Sequence, residues 1–134
     1  MELFWARVGA PSSSARMHSL GSISDQRLLS LAYSAADLFV IPSREENFPN
    51  VILESLCIGT PVIGLPAGGI PEMIEDGVNG VLAGSIDSMG LVDAIRRAGT
   101  LQFNREAIRR DTAARYAPSL VARKYLEIYD SLLS

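Results

Sequence analysis

Residues 37–64, DLFVIPSREENFPNVILESLCIGTPVIG, decide the fold because they place two short apolar runs on either side of a helical segment. The first run, at 37–41, is apolar without alternation, as expected of a parallel strand that is covered on both faces. The second run, at 61–64, is equally apolar. The helix between them is predicted to begin around Pro49, since proline suits the first helical turn, and to end at Gly59. A strand, a helix and a strand in this order predict an α/β fold with a parallel sheet wrapped by helices.

The flanking sequence extends this alternation and shows no internal repeat or linker. Ser24 is predicted to cap the first helix, whose apolar face would be formed by Leu28, Leu29, Leu31 and Ala32. The other predicted strands are 3–8, 16–20 and 80–82, with a loop at 9–14, and the other predicted helices are 24–34, 72–74, 88–98, 104–114 and 119–133.

Length and composition indicate one globular domain. The chain has 134 residues, of which 48% are hydrophobic and 20% charged, and a net charge of -3. This charge and the lack of a basic stripe argue against a nucleic-acid partner. No apolar run approaches the roughly 20 residues that span a bilayer, and the start of the chain lacks the plan of a signal peptide. The single cysteine, Cys57, excludes an internal disulfide, fits a cytoplasmic location and is predicted to be a small buried packing residue.

Two acids flank the start of the predicted central helix: Glu46 and Glu54, with seven residues between them. The first amides of a helix, here those of Asn50, Val51 and Ile52, lack intrahelical partners and favour a phosphate. Acids beside a phosphate are useful where the ligand also carries hydroxyl groups, and each charge-assisted bond then contributes roughly 1.5–3 kcal/mol. A nucleotide-sugar has both parts. The spacing of Glu46 and Glu54 alone supports a nucleotide-sugar site no better than it supports the alternative, in which both are solvated acids near the end of a helix.

A second loop at a strand end contains Gly68 and Gly69. Glycine lets the backbone approach a ligand closely or adopt a positive φ, although such a pair alone is more typical of an ordinary strand-to-helix turn. In parallel sheets, ligands bind beyond the carboxyl ends of the strands. The loops at 42–50 and 65–72 are therefore expected to face one crevice.

The segment 41–64, together with GGIPEMIEDGVNG at 68–80, resembles the donor-binding signature of group 1 glycosyltransferases, family 4 in the usual classification. The family pattern is a glutamate, seven residues and a glutamate, which falls here on Glu46 and Glu54. The resemblance is strong over 20–82, and its motifs are specific as a set. It implies a Rossmann-like domain, the C-terminal half of a GT-B fold. It also implies transfer of a sugar from a nucleotide-diphosphate-sugar to a hydroxyl acceptor with retention.

The resemblance also implies roles for single residues. Glu46 would be the catalytic residue, binding hydroxyls of the donor sugar and stabilising positive charge at its anomeric carbon, and Glu54 would hold the ribose. Arg44 could touch a phosphate, with a surface arginine as the alternative. No metal and no cofactor are expected. The other predicted donor-binding residues would shape the phosphate-binding turn, approach the ligand or lie against the nucleobase: Phe48, Pro49, Asn50, Val51, Gly68, Gly69, Gly21, Ser22 and Ile23.

Some family features have no counterpart in the chain. These are the arginine and lysine that usually contact the donor diphosphate, the acceptor-binding domain and its histidine. We therefore expect 1–134 to form a single partial donor-binding domain that is inactive alone and partners an N-terminal acceptor-binding domain. The full-length enzyme could lie at the inner membrane surface. The helix at 119–133 carries more apolar surface than a free tail needs, and it could pack on its own sheet or drive self-association.

Other functions remain open at this point. One alternative is a non-catalytic nucleotide-binding or interaction module that kept the signature as a scaffold, and another is a GT-B nucleotide-sugar epimerase. A dinucleotide oxidoreductase is disfavoured because no Gly-x-Gly-x-x-Gly follows a strand.

Overall fold

The computed structural model describes residues 2–7 and 16–133, so the predicted loop at 9–14 and residue Val8 lie outside the described residues. Helices and strands alternate from the third to the ninth element, and the last three elements are all helices, as predicted. In chain order the elements are β1 (Glu2–Arg7), β2 (Arg16–Ser22), α1 (Gln26–Ala35), β3 (Phe39–Ile41), α2 (Asn50–Ile58), β4 (Val62–Gly64), α3 (Ile70–Met73), β5 (Gly80–Leu82), α4 (Ser88–Ala98), α5 (Arg105–Arg115) and α6 (Pro118–Leu133).

A three-stranded parallel sheet, in the order β3-β4-β5, forms the centre of the fold. Val40 lies opposite Ile63, and Ile63 lies opposite Val81. This sheet confirms the predicted α/β class. The first two strands do not join it, because β1 and β2 pair with each other in antiparallel fashion and form a separate sheet. Their short connection cannot hold a crossover helix, and a short connection suits antiparallel pairing.

Helices cover both faces of the parallel sheet, since successive strand residues point to opposite sides. One face packs Ile41 and Val62 against α2 and α3, where Ile52, Leu56, Ile70 and Met73 are buried. The other face packs Ile63 and Val81 against α4, where Ala94 and Ala98 are buried. Ile52, Val62, Ile63, Ile70 and Val81 are 0% exposed. Burial on both faces explains why these strands are apolar throughout.

The first helix differs from its prediction in two ways. Asp25, not Ser24, is the N-cap, and its carboxylate accepts hydrogen bonds from the amides of Arg27 and Leu28. The predicted apolar face is wrong in part, because Leu28 and Leu31 are 55% and 64% exposed. The inward face instead carries Leu29, Ala32 and Tyr33, and Tyr33 is the residue that is buried. A hydrophobic run does not reveal the rotation of a helix, which is set by the surface it packs on.

The structure differs from two further predictions, one for Cys57 and one for the last helix. Cys57 is exposed, so its predicted buried packing role is wrong; α2 turns Ile52, Ser55 and Leu56 inward instead. Partial burial raises the pKa of the Cys57 thiol, which disfavours the reactive thiolate.

The last helix, α6, has no buried residue. The prediction that it packs on its own sheet is therefore wrong, and its self-association stays a prediction. Within the described residues, no helix has both the length and the apolar character needed to cross a membrane.

The helix α2 ends as predicted, at Gly59, which has φ +88°. A Cβ at this position would meet the carbonyl oxygen of Arg105 at the start of α5. Only glycine therefore satisfies both the left-handed backbone and the close approach of α5.

We expect Gly59→Ala to lower the free energy of unfolding by about 2–5 kcal/mol, from left-handed strain and overpacking together. Gly77→Ala is the matched control, because Gly77 has φ +81° but no atom lies near the position that a Cβ would take. It should cost about 1–2 kcal/mol from backbone strain alone. Urea unfolding followed by circular dichroism measures both values. Equal losses would show that the contact with Arg105 contributes nothing.

Candidate functional site

The two loops expected to share a crevice do contact each other. The amide of Gly69 donates a hydrogen bond to the carbonyl oxygen of Glu46, at 2.7 Å. A Cβ on Gly68 would meet that same carbonyl, and a Cβ on Gly69 would meet the carbonyl of Asn47. Gly68 also has φ +54°. The glycine pair is therefore needed for the contact between the loop after β4 and the loop after β3.

An open groove of about 680 Å³ lies along this contact. Predicted site residues from both loops line it. Glu46 is half-buried, whereas its neighbours in the loop are more exposed. The residues that line it are Arg44, Glu45, Glu46, Asn47, Phe48 and Gly68. The structure thus brings together Arg44, Glu46, Phe48 and Gly68, as the sequence predicted. It adds Glu45 and Asn47, which were not predicted as site residues.

The side chain of Arg44 lies within electrostatic range of the start of α4. Asp87 caps that helix, and its pKa is lowered, mainly by the hydrogen bond from the amide of Gly90 at 2.7 Å and then by Ser85. The positive charge of Arg44 adds a smaller contribution in the same direction. Arg44 therefore lines the groove and also interacts electrostatically with the carboxylate of Asp87.

Phe48, which also lines the groove, contacts an aromatic neighbour. Its ring makes an edge contact with Tyr116, at 6.2 Å between centroids and an interplanar angle of 60°. The guanidinium of Arg115 lies over the Tyr116 ring, 5.4 Å from its centroid. Phe48 is nevertheless 48% exposed, which leaves much of its surface open to a ligand.

The helix α2 starts at the groove without a side-chain cap. Pro49 occupies the N-cap position, is buried and makes no side-chain hydrogen bond to the helix. The amide of Ile52 donates to the carbonyl of Pro49 at 3.0 Å, so the prediction of three free amides is wrong for Ile52, because the first turn is of the 3₁₀ type. Within 2–7 and 16–133, no group accepts a hydrogen bond from the amide of Asn50 or Val51. Two backbone donors at the positive end of α2 are therefore available to a ligand.

The carboxylate of Glu54 lies one turn further along α2 and has a partner that the sequence did not reveal. The hydroxyl of Tyr33 donates a hydrogen bond to Oε2 of Glu54, at 3.1 Å. Tyr33 is 3% exposed, and its pKa is raised by burial first and then by the charge and hydrogen bond of Glu54. The available signal was the spacing of Leu29 and Tyr33 on one face of α1, since a buried tyrosine needs a partner for its hydroxyl. Glu54 itself is exposed and does not line the groove.

A hydrogen-bond network fixes the backbone around Tyr33. Thr60 donates through Oγ1 to the carbonyl of Tyr33, at 2.7 Å, and Ser55 donates to the carbonyl of Thr60, at 2.9 Å. Arg105 donates to Oγ1 of Thr60 at 2.6 Å and to the carbonyl of Ala36 at 2.9 Å. The network joins the end of α1 to α2 and α5.

The residues predicted to lie against the nucleobase are not joined to the groove. Gly21 has φ +63°, lies near the end of β2 and donates its amide to Ser19 Oγ at 3.2 Å. No hydrogen bond, ion pair or ring contact between described residues connects Gly21, Ser22 or Ile23 with the groove. Their role stays a prediction. Likewise, the residues that the structure describes contain no group of three or more metal-ligating side chains, and the expectation of no metal stays a prediction.

Fold and groove together define a Rossmann-like α/β domain of the kind found in GT-B glycosyltransferases. The chain belongs to the family described as glycosyl transferases group 1, whose model matches residues 6–100. A D-inositol 3-phosphate glycosyltransferase of Corynebacterium kroppenstedtii is 33% identical over 108 residues, which are 78% of this chain and 24% of that relative. The chain thus spans about a quarter of the length of that relative.

The solved structures that match this fold include two enzymes of different origin. Sucrose-phosphate synthase from Thermosynechococcus elongatus matches with a TM-score of 0.70 and 29% identity, over 85% of this chain and 29% of its own. HepE from Anabaena, in complex with UDP, matches with a TM-score of 0.59 and 26% identity, over 75% of this chain and 29% of its own.

We expect Gly69→Ala to separate the two loops of the groove. Gly69 has φ -82°, which any residue adopts, so the effect comes only from the contact with Asn47. The free energy of unfolding should fall by about 1–3 kcal/mol, and the amide resonances of Glu46 to Phe48 should shift. Gly84→Ala is the control, because no atom lies near its Cβ position. If Gly69→Ala lowers the free energy of unfolding no more than Gly84→Ala does, the two loops do not depend on this contact.

Proposed function

We propose that this chain is the donor-binding part of a glycosyltransferase that transfers a sugar, with retention, from a nucleotide-diphosphate-sugar to a hydroxyl acceptor. Membership of the group 1 family supports this proposal. So does the likeness to HepE, whose structures were determined with UDP and with UDP-glucose.

The observation that carries the proposal is the uncapped start of α2 between two acids. Asn50 and Val51 offer backbone amides, and the helix has no acidic residue in its first turn to neutralise its positive end. A diphosphate would satisfy both the donors and the dipole without a metal ion. Glu46 and Glu54 lie on either side of this position in sequence, where hydroxyl groups of the two sugars of the ligand would be accepted.

Glu46 is proposed to serve the donor sugar. Its backbone is held by Gly69, and its half-buried side chain lines the groove. A carboxylate there would accept hydrogen bonds from sugar hydroxyls and stabilise the positive charge that develops at the anomeric carbon. Arg44, Phe48 and Gly68 line the same groove, and Arg44 would approach the diphosphate. Stabilisation of the charges that form as the leaving group departs is commonly the largest contribution to such a reaction.

The complete reaction needs groups that this groove does not supply. An acceptor-binding domain is the proposed partner, and it would close the open groove and exclude water from it. Without that domain the chain would bind a nucleotide weakly and transfer nothing.

Replacing Glu54 tests the ribose site. Glu54→Ala should weaken UDP, GDP or ADP binding, whichever the chain binds best, by on the order of 1–3 kcal/mol, because charge-assisted hydrogen bonds to the ribose are lost. Isothermal titration calorimetry measures the change. Glu127→Ala is the matched control, because it removes an equal charge from an exposed helix position that does not line the groove. Unchanged affinity in Glu54→Ala would instead favour a module that kept the signature as a scaffold.

The isolated chain should catalyse no sugar transfer. Incubation with radiolabelled UDP-glucose or GDP-mannose and a panel of hydroxyl acceptors should give no labelled product, because the acceptor would lie in open solvent. Robust transfer by the purified chain would overturn the proposed division of the site between two domains.

A further inference from the structure

We propose that Tyr33 is a positioning residue, which holds the carboxylate of Glu54 in the orientation that accepts the ribose hydroxyls of a nucleotide. This inference rests on the proposed function and deepens it. It concerns a residue on a different helix from the signature segment, and its hydroxyl acts through Glu54 instead of touching the ligand.

The geometry of the contact leaves Glu54 able to bind. Tyr33 donates to Oε2 of Glu54 at 3.1 Å, while Oε1 accepts no hydrogen bond from any residue that the structure describes. An ionised carboxylate has room for about four hydrogen bonds on its two oxygens. One bond from a protein donor therefore fixes the side chain and still leaves acceptor sites for two vicinal hydroxyls.

Glu54 needs such a partner because it is exposed. A free glutamate side chain samples several rotamers, and fixing one of them costs conformational entropy. If the rotamer is fixed before the ligand arrives, that cost does not reduce the affinity. In the described residues, Tyr33 is the side chain that bonds to the Glu54 carboxylate.

Tyr33 is itself held rigidly enough to act as a fixed donor. It is 3% exposed, and its ring makes an edge contact with Phe39 at 5.3 Å and 79°. Its carbonyl accepts the hydroxyl of Thr60 at 2.7 Å, and Arg105 donates to that same hydroxyl. The phenol is protonated at neutral pH, as in any tyrosine, and burial and then the charge of Glu54 raise its pKa further.

A purely structural role predicts something different. If the bond only joins α1 to α2, its loss would lower stability and would change the affinity for all nucleotides equally. A positioning role predicts a loss of affinity that depends on the ribose hydroxyls and on the presence of Glu54.

The test is a cycle of variants and ligands measured by calorimetry on the full chain. Tyr33→Phe removes one hydroxyl and should weaken UDP binding by roughly twofold to tenfold, which is the usual net contribution of one hydrogen bond. It should not change the affinity for 2′,3′-dideoxy-UDP, and it should add nothing in a Glu54→Ala background. Tyr125→Phe, on the exposed face of α6, is the control and should bind UDP like the wild type.

A second measurement needs no variant. The Cζ resonance of Tyr33 in the wild-type chain should shift when UDP is added and shift less with the dideoxy analogue. Equal shifts would overturn the inference, even if Tyr33→Phe did not fold.

The possible outcomes distinguish the proposed function from the positioning role of Tyr33. If the wild type binds none of UDP, GDP and ADP, the proposed function and the positioning role fail together. If Glu54→Ala weakens UDP binding but Tyr33→Phe does not, or weakens UDP and its dideoxy analogue equally, the donor site stands and the role of Tyr33 is refuted.

Discussion

The close backbone approach of the two loops at the ends of β3 and β4 is the constraint on which the groove depends. Gly68 and Gly69 lie so near the carbonyls of Glu46 and Asn47 that no side chain fits between them. The hydrogen bond from Gly69 to Glu46 then fixes the loop that carries the proposed catalytic carboxylate. Parallel pairing brings both strand ends to one edge of the sheet, and the glycines allow the loops to meet there.

The two carboxylates of the signature are held by different means. Glu46 is fixed through its own backbone, by an amide from the neighbouring loop. Glu54 lies in a regular helix, and its side chain is held by Tyr33, which in turn depends on Thr60 and Arg105. Between them the start of α2 has no side-chain cap, an arrangement that would cost stability in an ordinary helix. Such a local departure from the usual helix rules is typical of a binding site.

Much of the fold could be predicted because its signals are local. Gly59 ends α2 through a left-handed backbone, and the strands β4 and β5 and the helix α4 follow from short apolar runs and turn residues. The face of α1 and the exposure of Cys57 could not be predicted, because both depend on how a helix is rotated against its neighbours. The antiparallel pairing of β1 with β2 was not predicted, because the sequence pattern of a strand does not specify which other strand it pairs with.

The sequence by itself determined the family signature, the α/β class and the two acids on either side of a helix start. These properties are carried by residue type and spacing along the chain. Only the tertiary structure decided which amides of α2 are free, that Asn47 lines the groove and that Tyr33 binds Glu54 across 21 positions. Contacts between distant segments depend on helix packing, and a linear pattern does not contain that information.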